Sequence, residues 1–336
     1  MNSTLALTKI KPASPIDATV LKVILAVNTL FLSTAICLFG IAANIVNILN
    51  FRKQGYKDGV NVTLTALVIS DLGVLITQQI IIQIYNPWLD QSNLVMLKPQ
   101  LFILIICINE YFIRVSGLVT ACAAFERCLC VVLPMKVKLV MTRRVAAVVN
   151  ISIFVAMVSY VVTPYSFVYV GSKFIPEYNR TFAYVYFRGS KGALNNFYIV
   201  DALFIPNVTM VLLLVFTVVL VTKLKSKNVW RQRVSNTVNR TKYSITLKER
   251  KTIVMLLTMS VIYIVCLMPH TALNLAAGLV EELKIDGVYF DIDLLVSSFS
   301  AISEAVNCSV TAIVYFKMSS KYREVIYDML HCRVKK

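Results

Sequence analysis

The chain has 336 residues and a formal net charge of +17; 58% of its residues are hydrophobic and 15% are charged. Its apolar residues form long stretches without polar faces, and this pattern excludes a soluble globular fold. The basic residues lie mainly in the joints between these stretches, which argues against a nucleic-acid partner and favours a protein embedded in a lipid bilayer.

Seven apolar stretches predict seven spanning helices, because each is near the roughly 20 residues that a helix needs to cross a bilayer. Lipid cannot hydrogen-bond a free backbone, so each stretch must be helical. These spans, numbered one to seven, lie at 23–50, 60–84, 100–132, 145–165, 195–222, 252–279 and 290–316. We predict one all-α membrane domain over 1–336, with an extracellular segment at 1–22, a helix bundle at 23–316, and an eighth helix and cytoplasmic tail at 317–336.

The distribution of Lys and Arg predicts the orientation of the chain. These residues are concentrated in the joint after span five, between Lys223 and Lys251, and in the tail. An excess of Lys and Arg marks the cytoplasmic side, so we expect an outer N-terminus and a cytoplasmic C-terminus in the plasma membrane. Such basic joints suit both anionic lipid and an intracellular protein partner.

Two kinds of covalent modification are expected. Asn2 and Asn179 begin glycosylation sequons on the predicted outer side. None of the eight cysteines lies in a predicted outer loop, so no surface disulfide is expected. Cys332 lies in the tail beyond an amphipathic segment and is a candidate for palmitoylation.

Ionisable side chains within the spans are candidates for function, because charge at bilayer depth is costly. They are Asp71, Glu110, Arg114, Glu126, Arg127, Asp201 and Glu304. The i,i+4 spacing of Glu110 and Arg114 predicts a structural ion pair on one face of span three. A pair between Arg114 and Asp201 across two helices is the alternative.

Short motifs occur in order along the spans. They are Gly40-Ile41-Ala42-Ala43-Asn44, Leu67-Val68-Ile69-Ser70-Asp71-Leu72, Glu126-Arg127-Cys128, Cys266-Leu267-Met268-Pro269 and Thr311-Ala312-Ile313-Val314-Tyr315, followed by an amphipathic stretch at 317–330. Their order and depth resemble those of the rhodopsin-like G-protein-coupled receptors over nearly the whole chain. Residues 54–58 and 318–323 resemble, more narrowly, invertebrate peptide-type and molluscan chemosensory receptors.

The resemblance implies a receptor that transmits an extracellular signal to a heterotrimeric G protein through an outward movement of helix six. The implied switch residues are Glu126, Arg127, Pro206, Glu249, Pro269 and Tyr315. Arg127 would pair with Glu249, and agonist binding would release that pair. Pro206 and Pro269 would kink their helices, either as static bends or as pivots.

The resemblance also implies a sodium site at Asp71, Ser116 and Asn307, which supply the oxygen ligands that a hard cation prefers. A buried hydrogen-bond network without an ion is the alternative, and no other cofactor is expected. Thr311 and Leu267 stand where the family usually has asparagine and tryptophan. The sodium site and the usual switch therefore both depart from the family pattern.

A ligand pocket is expected between spans two, three, five, six and seven, where polar side chains converge in an apolar cavity. Its candidates are Gln78, Gln79, Asn109, Glu110, Arg114, Asp201, His270, Thr271, Asn274, Ser297 and Glu304. The three carboxylates outnumber Arg114 and favour a cationic ligand, such as a basic amidated peptide; a small chemosensory molecule is the other ligand class. His270 is either part of this site or a packed hydrogen-bonding residue.

Two departures from the family exclude ligand classes. Asn109 stands where amine receptors carry an aspartate, and its amide cannot form the ion pair that a biogenic amine needs. Ala305 stands where opsins carry the retinal lysine, so no Schiff base can form.

The loop at 165–195 predicts a β-hairpin, because residues 165–170 and 181–187 are rich in Val, Phe and Tyr and turn residues separate them. The family usually ties this loop to span three by a disulfide, but Phe102 occupies that position and the loop has no cysteine. The hairpin is therefore either held by packing alone or mobile. Trp88 is expected to brace it.

Two other function classes compete with a receptor. An enzyme is not expected, because the sequence contains no nucleophile–base pair, phosphate-binding loop or metal-ligand spacing. A transporter or ion channel could use the charged groups in the spans, but the sequence lacks the internal repeat and glycine-rich broken helices of many transporters. A degenerate, ligand-independent receptor is a lesser alternative.

Overall fold

The structure is a computed structural model that describes residues 16–56, 59–91, 94–132, 142–188, 203–234, 247–280 and 289–331. Its helices are α1 (Ala18–Gln54), α2 (Gly59–Ile84), α3 (Lys98–Val132), α4 (Arg143–Ser166), α5 (Ile205–Val234), α6 (Leu247–Leu279), α7 (Phe290–Met318) and α8 (Ser320–His331). Each of α1 to α7 contains a segment long and apolar enough to cross a bilayer. The prediction of an all-α bundle of seven spanning helices with a short eighth helix is confirmed.

Capping side chains explain where α1 begins. It starts at Ala18 rather than at residue 23, because the carboxylate of Asp17 accepts hydrogen bonds from Thr19 N at 2.8 Å and Val20 N at 3.2 Å. The same bonds, with that from Val20 the stronger influence, hold the pKa of this exposed carboxylate below its ordinary value. A π-helical segment, Val27–Ser33, then interrupts the α-helical ladder of α1.

The boundary between α7 and α8 also depends on a cap. Ser319 adopts an extended conformation, with φ −104° and ψ 111°, and ends α7. Its hydroxyl accepts a hydrogen bond from Tyr322 N at 3.2 Å, so α8 begins at Ser320 rather than at 317.

Pro206 is the second residue of the α-helical part of span five, and its predicted kink stays a prediction. Residues 203–204 before it are π-helical, and the predicted start of the span at 195 lies outside the described residues. Pro269, by contrast, lies inside α6 as predicted.

Helix α3 occupies the centre of the bundle. It contacts α2, α4, α5 and α6, while α7 closes the ring between α6 and α1. One buried apolar cluster, with Phe51, Met255 and Tyr315 among its members, lies towards α8, and a second includes Leu75 and Leu213. Side chains that point inward at the level of the second cluster therefore lie in a closely packed interior.

Three asparagines one turn apart on α1 anchor α7 and α8. Asn44, Asn47 and Asn50 are fully buried. Asn44 Nδ2 donates to Cys308 O of α7 at 2.9 Å, and Asn50 Nδ2 donates to Tyr322 O of α8 at 2.9 Å. The Tyr322 hydroxyl donates to Asn47 Oδ1, and burial raises the pKa of that phenol to about 12.

A β-hairpin covers one end of the bundle, which we call the hairpin end; the opposite end is the α8 end. Strands β1 (Val168–Ile175) and β2 (Arg180–Phe187) pair antiparallel over their full length. Asn179, with φ 46°, occupies the turn between them. The predicted hairpin is confirmed, although residues 165–166 end α4 instead of beginning a strand.

The hairpin is attached to the bundle by hydrogen bonds as well as by packing. Gln100 Oε1 of α3 accepts from Val185 N at 2.9 Å, and Ala183 N donates to Val95 O of the preceding loop at 2.9 Å. Phe182 and Val185 are only 1% and 2% exposed. The described cysteines are all free thiols, so hydrogen bonds and packing attach the hairpin in the described part of the chain.

Trp88 does not brace the hairpin. Its side chain is 83% exposed, and its backbone N–H donates to Asn86 Oδ1 at 3.0 Å in the loop between α2 and α3. The contacts that hold β2 come instead from backbone groups and from the side chain of Gln100. These groups are not aromatic, so the aromatic character of Trp88 did not indicate them.

Candidate functional site

Four charged or titratable side chains meet in the middle of the bundle. We call them the central cluster: Glu110 and Arg114 of α3, His270 of α6 and Glu304 of α7. Arg114 Nη2 lies 2.6 Å from Glu110 Oε2, and the two side chains are 5% and 21% exposed, respectively. The ion pair that the i,i+4 spacing predicts is therefore present.

His270 bridges the carboxylates of two helices. Its Nδ1 lies 2.8 Å from Glu304 Oε1, and its Nε2 lies 3.8 Å from Glu110 Oε1. The Glu304 side chain is only 8% exposed. The imidazole therefore lies between charged side chains of α3 and α7, and its role in ligand binding stays a prediction.

The charge count of the cluster depends on His270. Two carboxylates and one guanidinium leave a net charge of −1 when the imidazole is neutral, and zero when it is protonated. A buried net charge is costly at bilayer depth, so the cluster favours a positive charge at this point, whether on His270 or on a ligand. Asp201, the third predicted carboxylate, lies outside the described residues.

Asn109 turns away from the central cluster. Its Nδ2 donates to Val74 O at 3.1 Å and to Thr77 Oγ1 at 2.8 Å, both on α2. The Asn109 amide nitrogen thus links α2 to α3, and the ligand contact of Asn109 stays a prediction. Thr271 likewise uses its hydroxyl within α6, where it donates to Leu267 O at 2.8 Å.

The remaining described residues of the predicted pocket are Gln78 and Gln79 of α2, Asn274 of α6 and Ser297 of α7. Gln78 Nε2 donates to Ala301 O of α7 at 2.8 Å. Gln79, Asn274 and Ser297 are half-buried. The buried Gln79 Oε1 has no hydrogen-bond partner among the described groups, so this oxygen is available to a ligand or water.

Three small cavities follow one another from the central cluster towards the α8 end. In each cavity the centre of a water molecule can occupy a volume of about 10 Å³. Each cavity therefore has room for about one water molecule. Tyr263 of α6 lines all three. The approach of its hydroxyl to α3 requires a glycine at 117, because a Cβ there would overlap that oxygen.

A larger groove, of about 490 Å³, lies away from the charged groups. It is bounded by Leu203, Phe204, Val208 and Leu275 on the outer surface of α5 and α6. Because this surface faces the hydrocarbon of the bilayer, lipid chains can fill it. The central cluster, where polar groups converge, remains the better candidate for a specific site.

Asp71 lies at the far end of the row of cavities. The carboxylate is 1% exposed, and Ser116 Oγ donates to its Oδ1 at 2.7 Å. The Cys308 thiol lies near the carboxylate, and Oδ2 has no hydrogen-bond partner among the described groups. Asn307 and Thr311 line the same cavity, while no ion pair to Asp71 occurs among the described side chains.

These residues fit a monovalent cation. The carboxylate lacks a neutralising partner in the described part of the bundle, and the cavity beside it has the size of one small ion or water molecule. Asp71, Asn307 and Thr311 bring a carboxylate, an amide and a hydroxyl to that space, beside apolar side chains, and oxygen atoms are the ligands that a hard cation prefers.

A second charged pair lies at the α8 end of α3. Arg127 Nη2 lies 2.9 Å from Glu126 Oε1, with both side chains at least nine-tenths buried. Thr63 of α2 lies beside Glu126, and Asn150 Nδ2 of α4 donates to Thr63 Oγ1 at 3.2 Å. The pair of Glu126 and Arg127 therefore lies where α2, α3 and α4 meet.

The other predicted switch residues are less closely connected. Tyr315 is 1% exposed and packs edge-on against Phe51, with ring centroids 5.2 Å apart. The Glu249 side chain lies outside the described part of the structure, so its predicted pairing with Arg127 stays a prediction. Asn2 and Cys332 also lie outside it, whereas Asn179 is exposed in the hairpin turn.

Sequence reasoning missed several residues of these sites. Tyr263 lies among apolar residues of span six, and its position in the sequence does not show that its side chain lines three cavities. Thr63 and Asn150 are ordinary polar residues at a helix interface. The one available signal was the row Asn44, Asn47 and Asn50, whose three-residue spacing places amides along one face of α1.

The chain was also compared with known proteins. A family model, serpentine type 7TM GPCR chemoreceptor Srw, matches residues 31–333. No curated protein sequence matches the chain significantly. Because the matched region extends from α1 past the end of α8, this chain belongs to the serpentine 7TM GPCR chemoreceptor Srw family.

Proposed function

We propose that this receptor binds an extracellular ligand and activates a heterotrimeric G protein at the plasma membrane, with its N-terminus outside and its C-terminus in the cytoplasm. Membership of a 7TM chemoreceptor family supports receptor function, and the basic joint after span five supports the orientation. On this orientation Asn2 and Asn179 are available for glycosylation, and Cys332 is available for palmitoylation.

The ligand that we propose carries a positive charge. The observation that carries this proposal is the central cluster, which holds two carboxylates and one guanidinium: Arg114 pairs with Glu110, and Glu304 contacts His270. A basic amidated peptide or a small water-soluble cation would neutralise the remaining charge. Its contacts would replace those of His270, and so loosen α6 from α3 and α7.

We propose a rhodopsin-like mechanism for the step that follows. Pro269 interrupts the hydrogen bonds of α6 one residue before His270. A ligand that binds to Glu110 and Glu304 would therefore act next to Pro269. The cytoplasmic half of α6 would swing outward about the bend at that residue. The narrower kinship with molluscan chemosensory receptors is part of the same proposal.

A library screen with a switch variant tests this function. We expect G-protein activation in cells that express the wild type and are exposed to amidated peptides and water-soluble odorants. Arg127→Ala should abolish the response at equal surface expression, because Arg127 is the family's contact for the G protein. A ligand-gated current that survives Arg127→Ala would overturn the proposal and favour the ion channel.

We further propose that a sodium ion binds at Asp71, Ser116 and Asn307 and stabilises the resting receptor. The melting temperature of the purified receptor should rise when sodium chloride replaces choline chloride at constant ionic strength. Asp71→Asn should remove the difference, since the amide carries no charge. Equal sodium dependence in the two proteins would instead support the hydrogen-bond network without an ion.

A further inference from the structure

We propose that a proton is a second ligand of the central cluster: it binds His270, ties α6 to α3 and α7, and competes with the cationic ligand for Glu110 and Glu304. The competition rests on the function proposed above, whereas proton binding itself rests on geometry alone. The receptor would thereby respond to the pH of its surroundings.

The groups that face His270 determine whether it takes a proton. From α3 these are Glu110, at 3.8 Å, and Arg114, which shares a cavity with the imidazole; from α7 the facing group is Glu304, at 2.8 Å. The described α5 residues of that cavity, Pro206, Thr209 and Met210, do not titrate. On α6 itself, Tyr263 lines the same cavity.

The balance of these groups favours the protonated imidazole. Burial and Arg114 oppose a second positive charge, whereas two carboxylates attract it. Arg114 lies within 2.6 Å of Glu110 and is therefore largely neutralised, which leaves the nearer carboxylate of Glu304 for His270. The protonated cluster has no net charge, and a neutral cluster is the cheaper one at bilayer depth.

The proton should stabilise the conformation described here. Both ring nitrogens of His270 then carry hydrogens and face carboxylates of different helices. Without the proton, one nitrogen faces a carboxylate with a lone pair, and the link to either α3 or α7 weakens. The folded receptor should bind this proton more tightly than the unfolded chain does. The resulting contribution to the free energy of unfolding is therefore present in acid, and it is lost as the pH rises through the histidine range, around pH 6.5 and above.

The chain contains only two histidines, His270 and His331, so the contribution of His270 to a pH dependence can be separated by one control variant. The melting temperature of the full-length receptor in lipid nanodiscs would be measured from about pH 5.5 to about pH 8, which brackets the ordinary histidine range. We expect the wild type to lose several degrees across this interval. His331→Gln should behave like the wild type, and His270→Gln should lose the slope.

A second measurement covers the case in which His270→Gln fails to fold. In His331→Gln with isotope-labelled histidine, the single imidazole signal reports His270 directly. We expect it to stay protonated at pH values at which a free histidine has lost its proton, and Glu304→Gln should move the titration towards acid. A titration at or below the ordinary histidine range, or an equal slope in wild type and His270→Gln, would overturn the proposal.

Neither measurement needs a ligand or a G protein, so failure of the proposed signalling function would leave the result interpretable.

Discussion

Arg114→Met should produce the largest loss of stability of any single substitution in the central cluster. It leaves Glu110 beside Glu304 without the guanidinium that now lies 2.6 Å away. Breaking one half of a buried ion pair typically costs about 3–5 kcal/mol, because the other charge stays buried and unpaired. We expect a strongly lowered melting temperature in detergent and little receptor at the cell surface.

A double variant separates loss of the pair from loss of packing. Glu110→Leu combined with Arg114→Met removes both charges and retains apolar volume, and such replacements are often neutral or stabilising. Most of the stability should therefore return. Arg144→Met, at an exposed position near the start of α4, is the control for removing a basic residue. A double variant as unstable as Arg114→Met alone would show that the ion pair is not the cause.

Glu126→Gln should raise basal G-protein activation. Glu126 holds Arg127 at 2.9 Å, so the resting receptor keeps the guanidinium occupied. Glutamine keeps the size of the side chain and a weaker hydrogen bond but loses the charge. A difference of about 1.4 kcal/mol between the two states corresponds to a tenfold change in population, and we expect a basal increase of roughly that order.

Two further variants make this result specific. Glu126→Gln combined with Arg127→Ala should be silent, because the freed guanidinium is what contacts the G protein. Glu249→Ala, the substitution that the family resemblance singles out, tests whether α6 also restrains Arg127. Unchanged basal nucleotide exchange in Glu126→Gln, at matched surface expression, would mean that Glu126 does not hold the receptor at rest. If Glu249→Ala alone raised the activity, the restraint would come from α6.

Sequence alone determined the architecture, because the bilayer imposes a simple rule: a chain with seven apolar segments of spanning length has to form helices. It also determined the Glu110–Arg114 pair, since both residues lie on one helix and their i,i+4 spacing fixes their distance. The hairpin followed from strand-forming residues on either side of a turn. In each case the signal is local, and neighbours along the chain are enough to produce the structure.

Only the tertiary structure decided how side chains from different helices meet. His270 lies between Glu110 and Glu304 because α3, α6 and α7 present these residues at one depth. The rotation of a helix about its axis cannot be read from a span that has apolar residues on every side. Rotation also turned Asn109 towards α2, whereas a neighbouring capping interaction placed Ser319 at the start of α8. Hydropathy is nearly uniform around such helices, so the sequence specifies that they span, while packing between them specifies which face each one turns inward.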